Sequence, residues 1–109
     1  MLNQAILVGR LVKDVEVVKE GDKDISYITL AVPRAFKNEN GEYDTDYIDC
    51  VLWNGIALNT SEYCKKGDLV GIKGRLQTET SNNGIKTTKI IADKVTFLSS
   101  KKRNETEEE

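Results

Sequence analysis

The stretch Asp46-Tyr47-Ile48-Asp49-Cys50-Val51-Leu52-Trp53 has the pattern of one β-strand, and from Asn54 the period changes. Side chains alternate faces along a strand, so Ile48, Cys50 and Leu52 share an apolar side, while Tyr47, Asp49, Val51 and Trp53 share the other. The first set is a core face. The second mixes two of the chain's seven aromatics with a carboxylate, a combination that a fully buried surface would hold only at a high desolvation cost. Tyr47 and Trp53, six residues apart, stand roughly 20 Å from each other at about 3.3 Å per residue, which suits a surface on which separate bases could stack. Beyond the strand, Ile56, Ala57, Thr60, Tyr63 and Cys64 recur at helical spacing over 54–66. Asn54 is placed to cap that helix and Gly67 to end it.

Four more strand-like segments flank this strand–helix junction. The first spans about 4–18 and is broken at Gly9, where a bulge or sharp bend is expected. Glu20-Gly21-Asp22 is a turn, and the second strand covers about 24–36. Pro33 cannot donate to a ladder, which predicts a bulge or a sheet edge there. Asn38-Glu39-Asn40-Gly41-Glu42 links it to the third strand, about 43–53. The fourth, about 68–80, alternates with Val70, Ile72 and Leu76 inward and Leu69, Lys73, Arg75 and Gln77 outward. Asn82-Asn83-Gly84 signals a type I′ hairpin into the fifth strand, about 85–98. Three strands, a short helix and two strands is the order of an all-β, five-stranded oligonucleotide-binding (OB) barrel with one helix between strands 3 and 4. A generic five-stranded α+β domain shares that order, because periodicity does not fix closure.

The 109 residues suffice for one domain with a modest core, and 39 % hydrophobic against 31 % charged residues gives it a well-solvated surface. The apolar run Ala5-Ile6-Leu7-Val8 is far too short to cross a bilayer. Met1-Leu2-Asn3-Gln4 lacks the basic start of a secretion signal, so a cytoplasmic location is expected. Cys50 and Cys64 stand alone in a chain without histidine, so neither a metal site nor a cofactor is expected; both read as small core residues kept reduced. No paired carboxylates and no Gly-rich phosphate loop appear either, which argues against an enzyme. From Ser99 the composition turns to Lys101-Lys102-Arg103 and Glu105-Thr106-Glu107-Glu108-Glu109, so residues 99–109 are expected to form a short charged disordered tail after a domain spanning 1–98. The net charge of −2 argues mildly against binding by bulk attraction to phosphates.

Five segments, in order, resemble the bacterial single-stranded DNA-binding protein family. They are Met1-Leu2-Asn3-Gln4-Ala5-Ile6-Leu7-Val8-Gly9-Arg10-Leu11, Thr29-Leu30-Ala31-Val32, the strand Asp46 to Trp53, Lys65-Lys66-Gly67-Asp68-Leu69-Val70, and Gly74-Arg75-Leu76-Gln77-Thr78. The resemblance implies an OB fold, a homotetramer, and sequence-independent binding of single-stranded DNA in replication, recombination and repair. It also implies stacking roles for Phe36, Tyr47 and Trp53, and a basic pair at Lys65 and Lys66. Three departures stand out. Ser81 occupies the hairpin where the family often carries an aromatic, Asp49 stands where many members have a neutral or basic residue, and the long tail with an acidic, hydrophobic-ended tip is absent. Without that anchor, recruitment of partner proteins in the usual way is not expected.

Stacking suits Phe36, Tyr47 and Trp53 because every base offers a π-face, whereas most aromatics simply pack in cores. Alternation from Leu30 puts Phe36 on the core side, and only a bulge near Pro33 turns it outward. Tyr27, Tyr63 and Phe97 read as core; Tyr43 is assigned to neither side. Arg10, Arg34, Lys37, Lys65, Lys66, Lys73, Arg75, Lys86 and Lys89 are the available phosphate contacts, although most strand lysines only solvate a surface. Lys73 and Arg75 share an outward side, with Lys86 and Lys89 on the adjoining hairpin arm, which suggests a basic groove. The rival function is an OB module of the primosome type that binds protein through its exposed face or sheet edge.

Overall fold

In the computed structural model, which describes residues 1–99, β1 (Ala5–Leu11) runs between two partners and sets the architecture. It pairs antiparallel with β5 (Leu69–Thr80) from Ala5 to Arg10 and with β3 (Lys23–Lys37) at Arg10 and Leu11. The other elements are β2 (Val18–Glu20), β4 (Tyr43–Trp53), α1 (Asn54–Tyr63) and β6 (Lys86–Ser99). The sheet order β1-β5-β6-β4-β3-β2, with β1 also on β3, closes five strands into a barrel. One contact in it is parallel: β4 meets β6 at Cys50–Ile90 and Val51–Ile91. This is the OB arrangement expected from the element order, with the helix between the third and fourth barrel strands.

Closure depends on close backbone approach. A Cβ on Gly9 would lie 2.7 Å from the Ala31 carbonyl oxygen, so only glycine lets β1 cross from β5 to β3 here. Beyond Leu11 the chain leaves the sheet, buries Val15, and returns as the three-residue edge strand β2. The single strand read over 4–18 is therefore two short ones with a loop between them. Inside the barrel, Leu30, Leu52 and Val70 are fully buried, with Ile28, Cys50, Ile72 and Ile90 around them. α1 closes this core with Ala57 and Thr60. Outside the wall, Ile25, Val51 and Ile91 form a second small apolar cluster against a half-buried Trp53.

Several local expectations are corrected. The helix ends at Tyr63, and the Cys64 N–H bonds back to the Thr60 carbonyl. Gly67 (φ +91°) belongs instead to the next turn and donates to the Leu11 carbonyl. Asn54 makes no side-chain cap; it has positive φ (52°), and its Oδ1 accepts the Asp24 N–H. In both hairpins the glycine N–H closes a turn, Gly41 onto the Asn38 carbonyl and Gly84 onto the Ser81 carbonyl. Both glycines have positive φ but Asn83 does not, so the second hairpin is not the type I′ turn that Asn83-Gly84 suggests. Leu76 keeps inward parity, opposite Ile90, yet is about half exposed because the β5–β6 hairpin continues past the barrel. Tyr63 and Phe97 are likewise not core; they meet each other at 5.9 Å between ring centroids on the surface. Ser99 belongs to β6, and the rest of the expected tail lies outside the described residues.

Gly74 sits at the register shift between β5 and β6, and a Cβ there would fall 2.1 Å from the Ile91 carbonyl oxygen. The same probe at Gly71 meets nothing nearer than 3.6 Å. Gly74→Ala is therefore expected to lower stability by about 1–3 kcal/mol or more, the usual cost of overpacking. Gly71→Ala should leave the thermal midpoint nearly unchanged. Equal melting of the two variants would contradict the assignment of Gly74 as a closure point.

Candidate nucleic-acid interface

Register places one continuous set of side chains on the outer surface of β3, β4, β6 and β5. Tyr27 pairs across to Val51, Val51 to Ile91, and Ile91 to Arg75. The next row carries Thr29, Asp49, Lys89 and Gln77. Trp53 opposite Ile25 lies at one end of β4, and Tyr47 opposite Ala31 lies toward the other. Tyr47 is 68 % exposed, while Trp53 presents one side to solvent and the other to Ile25, Val51 and Ile91. The bulge expected near Pro33 lies between Pro33 and Lys37, where β3 shifts register against β4, and Phe36 on it is 84 % exposed. Parity along β4 and the bulge in β3 thus bring the three aromatics to the outside of one curved wall.

Tyr27 lies on this surface as well, which overturns its expected place in the core. It is half exposed, its phenol donates to Glu20 Oε2 at 3.0 Å, and the Lys89 ammonium lies 5.4 Å from its ring centroid. The hydrogen bond to Glu20 pushes its hydroxyl pKa above the ordinary tyrosine value. The signal was present: Ile28 and Leu30 face inward, so the same alternation turns Tyr27 out. Lys13 was also missed. It reaches the surface from the loop after β1 and lines, with Thr29, Asp49 and Lys89, a cavity of about 220 Å³ beside Tyr27. A larger cavity of about 330 Å³ opens on the other side, bounded by Tyr27, Val51, Trp53 and Ile91 and rimmed by Glu20, Arg75, Gln77 and Glu79.

Three of the cations on and around this wall already have carboxylate partners. Lys89 meets Glu79 at 2.9 Å, Arg75 meets Asp93 at 3.6 Å, and Arg34 grips Asp46 through Nε and Nη2 with Asp44 at 3.9 Å. The Arg34 hydrogen bonds hold the Asp46 carboxyl below the usual range, and Glu79 raises the Lys89 ammonium. Asp49 accepts from the Thr29 hydroxyl at 2.9 Å. The remaining candidates scatter. Arg10 donates to the Gly67 carbonyl beside the turn carrying Lys65 and Lys66, whose backbone N–H groups are held by Asp68 and Asp14. Lys37 lies 5.8 Å from the ring of Tyr43, which is itself exposed. Lys73 faces Ile6 and Lys94 on the β1–β5–β6 wall. Lys86 and Lys89, three residues apart on a regular ladder, point to opposite sides of the hairpin, so the basic groove expected from Lys73, Arg75, Lys86 and Lys89 does not assemble as a unit.

Among the described residues no three His, Cys, Asp or Glu side chains gather to hold a metal ion, and no helix is long and apolar enough to cross a membrane. A closed five-stranded barrel with a capping helix and an outer wall of aromatics and cations defines an OB-type binding protein. The chain belongs to the Single-strand binding protein family, whose sequence profile matches residues 2–98. It is 44 % identical over 108 residues to Single-stranded DNA-binding protein B of Bacillus subtilis strain 168, covering 94 % of this chain and 96 % of that protein. It is 43 % identical over 106 residues to Single-stranded DNA-binding protein 3 of Listeria innocua, covering 93 % of this chain and 66 % of that one. Single-stranded DNA-binding protein 2 of Streptococcus pyogenes serotype M18 is 39 % identical over 110 residues, 96 % of this chain and 68 % of its own length.

Burial pushes the Cys50 thiol up to about 12 and the Cys64 thiol to about 11, with Asp49 and Asp68 adding to the respective shifts. At pH 8 both stay protonated and enclosed, so a water-soluble disulfide reagent should label neither until denaturant is added. Rapid labelling of the native protein would contradict the burial of these side chains.

Proposed function

We propose that this chain binds single-stranded DNA without regard to sequence, stacking bases on Trp53, Tyr47 and Phe36 and meeting phosphates through Arg75, Lys89 and Lys13. The observation that carries this reading is the row of rings, Phe36 and Tyr47 exposed and Trp53 half-buried, on one wall of a barrel whose sequence belongs to the Single-strand binding protein family. Stacking on each ring contributes about 1–3 kcal/mol per base and tolerates any sequence. Arg34 and Lys37 flank Phe36 on the β3–β4 arm and extend the path. Arg10, Lys65, Lys66, Lys73 and Lys86 lie off this wall and would act only on DNA wrapped further round the molecule. Such wrapping fits the homotetramer that the family resemblance implies. The exposed Ile6, Val8 and Leu98 on the β1–β5–β6 wall support association of copies there. Protection of single strands in replication, recombination and repair, beside the nucleoid and without catalysis of its own, follows from the same reading, with residues 1–98 as the binding domain.

One observation favours the rival reading of an OB module that binds protein. Arg34, Arg75 and Lys89 are each neutralised by a carboxylate, on a chain of net charge −2. Titration with oligo-dT separates the two. Trp53 is the single tryptophan, so base stacking should quench its emission. Unchanged emission, with no mobility shift at low salt, would rule out the DNA-binding reading. Asp49 lies beside Lys89 on the path, so Asp49→Asn should tighten binding roughly two- to fivefold, the scale of one exposed charge pair. The gain should shrink as salt screens it. No change in affinity would place the Asp49 carboxylate off the DNA path.

A further inference from the structure

We propose that Tyr27 is a further base-stacking residue, and that the cavity it shares with Trp53 holds one nucleobase between them. This rests on the single-stranded DNA reading and adds to it a site that strand parity along β4 alone does not supply. The Trp53-to-Tyr47 interval spans roughly 20 Å along β4, and on that strand it carries only Val51 and Asp49 on the outer side. Tyr27 stands across from Val51, inside the interval, so a strand running along β4 meets its ring between the other two.

Three observations separate this from a ring that merely covers its neighbours. Tyr27 is 50 % exposed, so it does not seal the Ile25–Val51–Ile91 cluster as a core aromatic would. Its hydroxyl is fixed to Glu20 Oε2 at 3.0 Å, which tethers the ring at its tip and leaves the face turned away from Lys89 for a ligand. A ring fixed before binding loses little conformational freedom when a base stacks on it. The adjoining cavity of about 330 Å³ lies within the range of small-molecule sites, roughly 300–1,000 Å³. Its exposed lining is mostly polar, from Glu20, Arg75, Gln77 and Glu79, with the Tyr27 and Trp53 rings beside them, which suits a base that offers both a π-face and hydrogen-bonding edges. Lys89 lies toward the other cavity, 5.4 Å from the ring centroid. There it can take a phosphate while the base occupies the Trp53 side.

The test compares fluorescent oligo-dT binding to the unaltered chain, Tyr27→Ala and Tyr27→Phe. Tyr27→Ala should weaken binding roughly tenfold, within the range of one lost stack. Tyr27→Phe keeps the ring and loses only the Glu20 bond, so it should stay within about twofold, as surface changes usually do. In the unaltered chain, ultraviolet cross-linking to oligonucleotides carrying 5-iododeoxyuridine should give an adduct on Tyr27, a readout that needs no variant to fold. Equal affinity for Tyr27→Ala, an equal loss in Tyr27→Phe, or adducts on Tyr47 and Trp53 with none on Tyr27 would overturn this site and leave the general reading standing. Failure of the unaltered chain to bind at low salt would overturn both.

Discussion

A strand sends side chains to both sides of its sheet, and closing the sheet into a barrel forces one side to be core and leaves the other to solvent. In this chain that closure depends on β1 spanning from β5 to β3 and on a two-residue parallel contact between β4 and β6. The first needs glycine at position 9, and beside the second Gly74 lets β5 pass close to the Ile91 backbone of β6, the residue that meets Val51. Once the barrel is shut, Cys50 and Leu52 have no place but the interior. Tyr47, Asp49 and Val51 have no place but the wall. The functional surface is thus a consequence of how the core is made, and it has little freedom of its own.

That surface is electrostatically restrained. Lys89, Arg75 and Arg34 face a ligand already paired with Glu79, Asp93 and Asp46, and Asp49 adds an acceptor between the rings. A phosphate that takes Lys89 from Glu79 exchanges one anion for another, and the freed carboxylate gathers a counterion from solution. The net electrostatic gain is then smaller than for an unpaired lysine. Stacking meets no such competition. The small outer cluster of Ile25, Val51 and Ile91 gives Trp53 a fixed apolar backing, so its ring is held in place before any base arrives.

Most of this was legible in the sequence where one periodicity ruled. The strand 43–53 has its expected bounds, Val70 and Ile72 face inward, and the bulge anticipated at Pro33 is present. The misreadings fall where local pattern gives way to tertiary geometry. Leu76 keeps its parity, but the hairpin outruns the barrel, so parity no longer means burial. Tyr63 lies past the part of α1 that meets the core, and Gly67 serves the turn against Leu11 in place of the helix end. Tyr27 is the opposite case, since parity from Leu30 turned it outward and the habit of burying tyrosines hid it. Ion pairs such as Lys89–Glu79 join separate strands, and no single-strand reading brings them together.

On the proposed reading, binding is led by stacking, with charge contributing less because Lys89, Arg75 and Arg34 are already paired. The salt dependence of oligo-dT affinity tests it most directly. Two or three effective phosphate contacts at about 0.7 each predict a log–log slope of roughly −2 or shallower, with binding still measurable near 1 M salt. A slope of about −5 or steeper, with affinity vanishing at high salt, would mean that phosphate contacts dominate and would contradict the account.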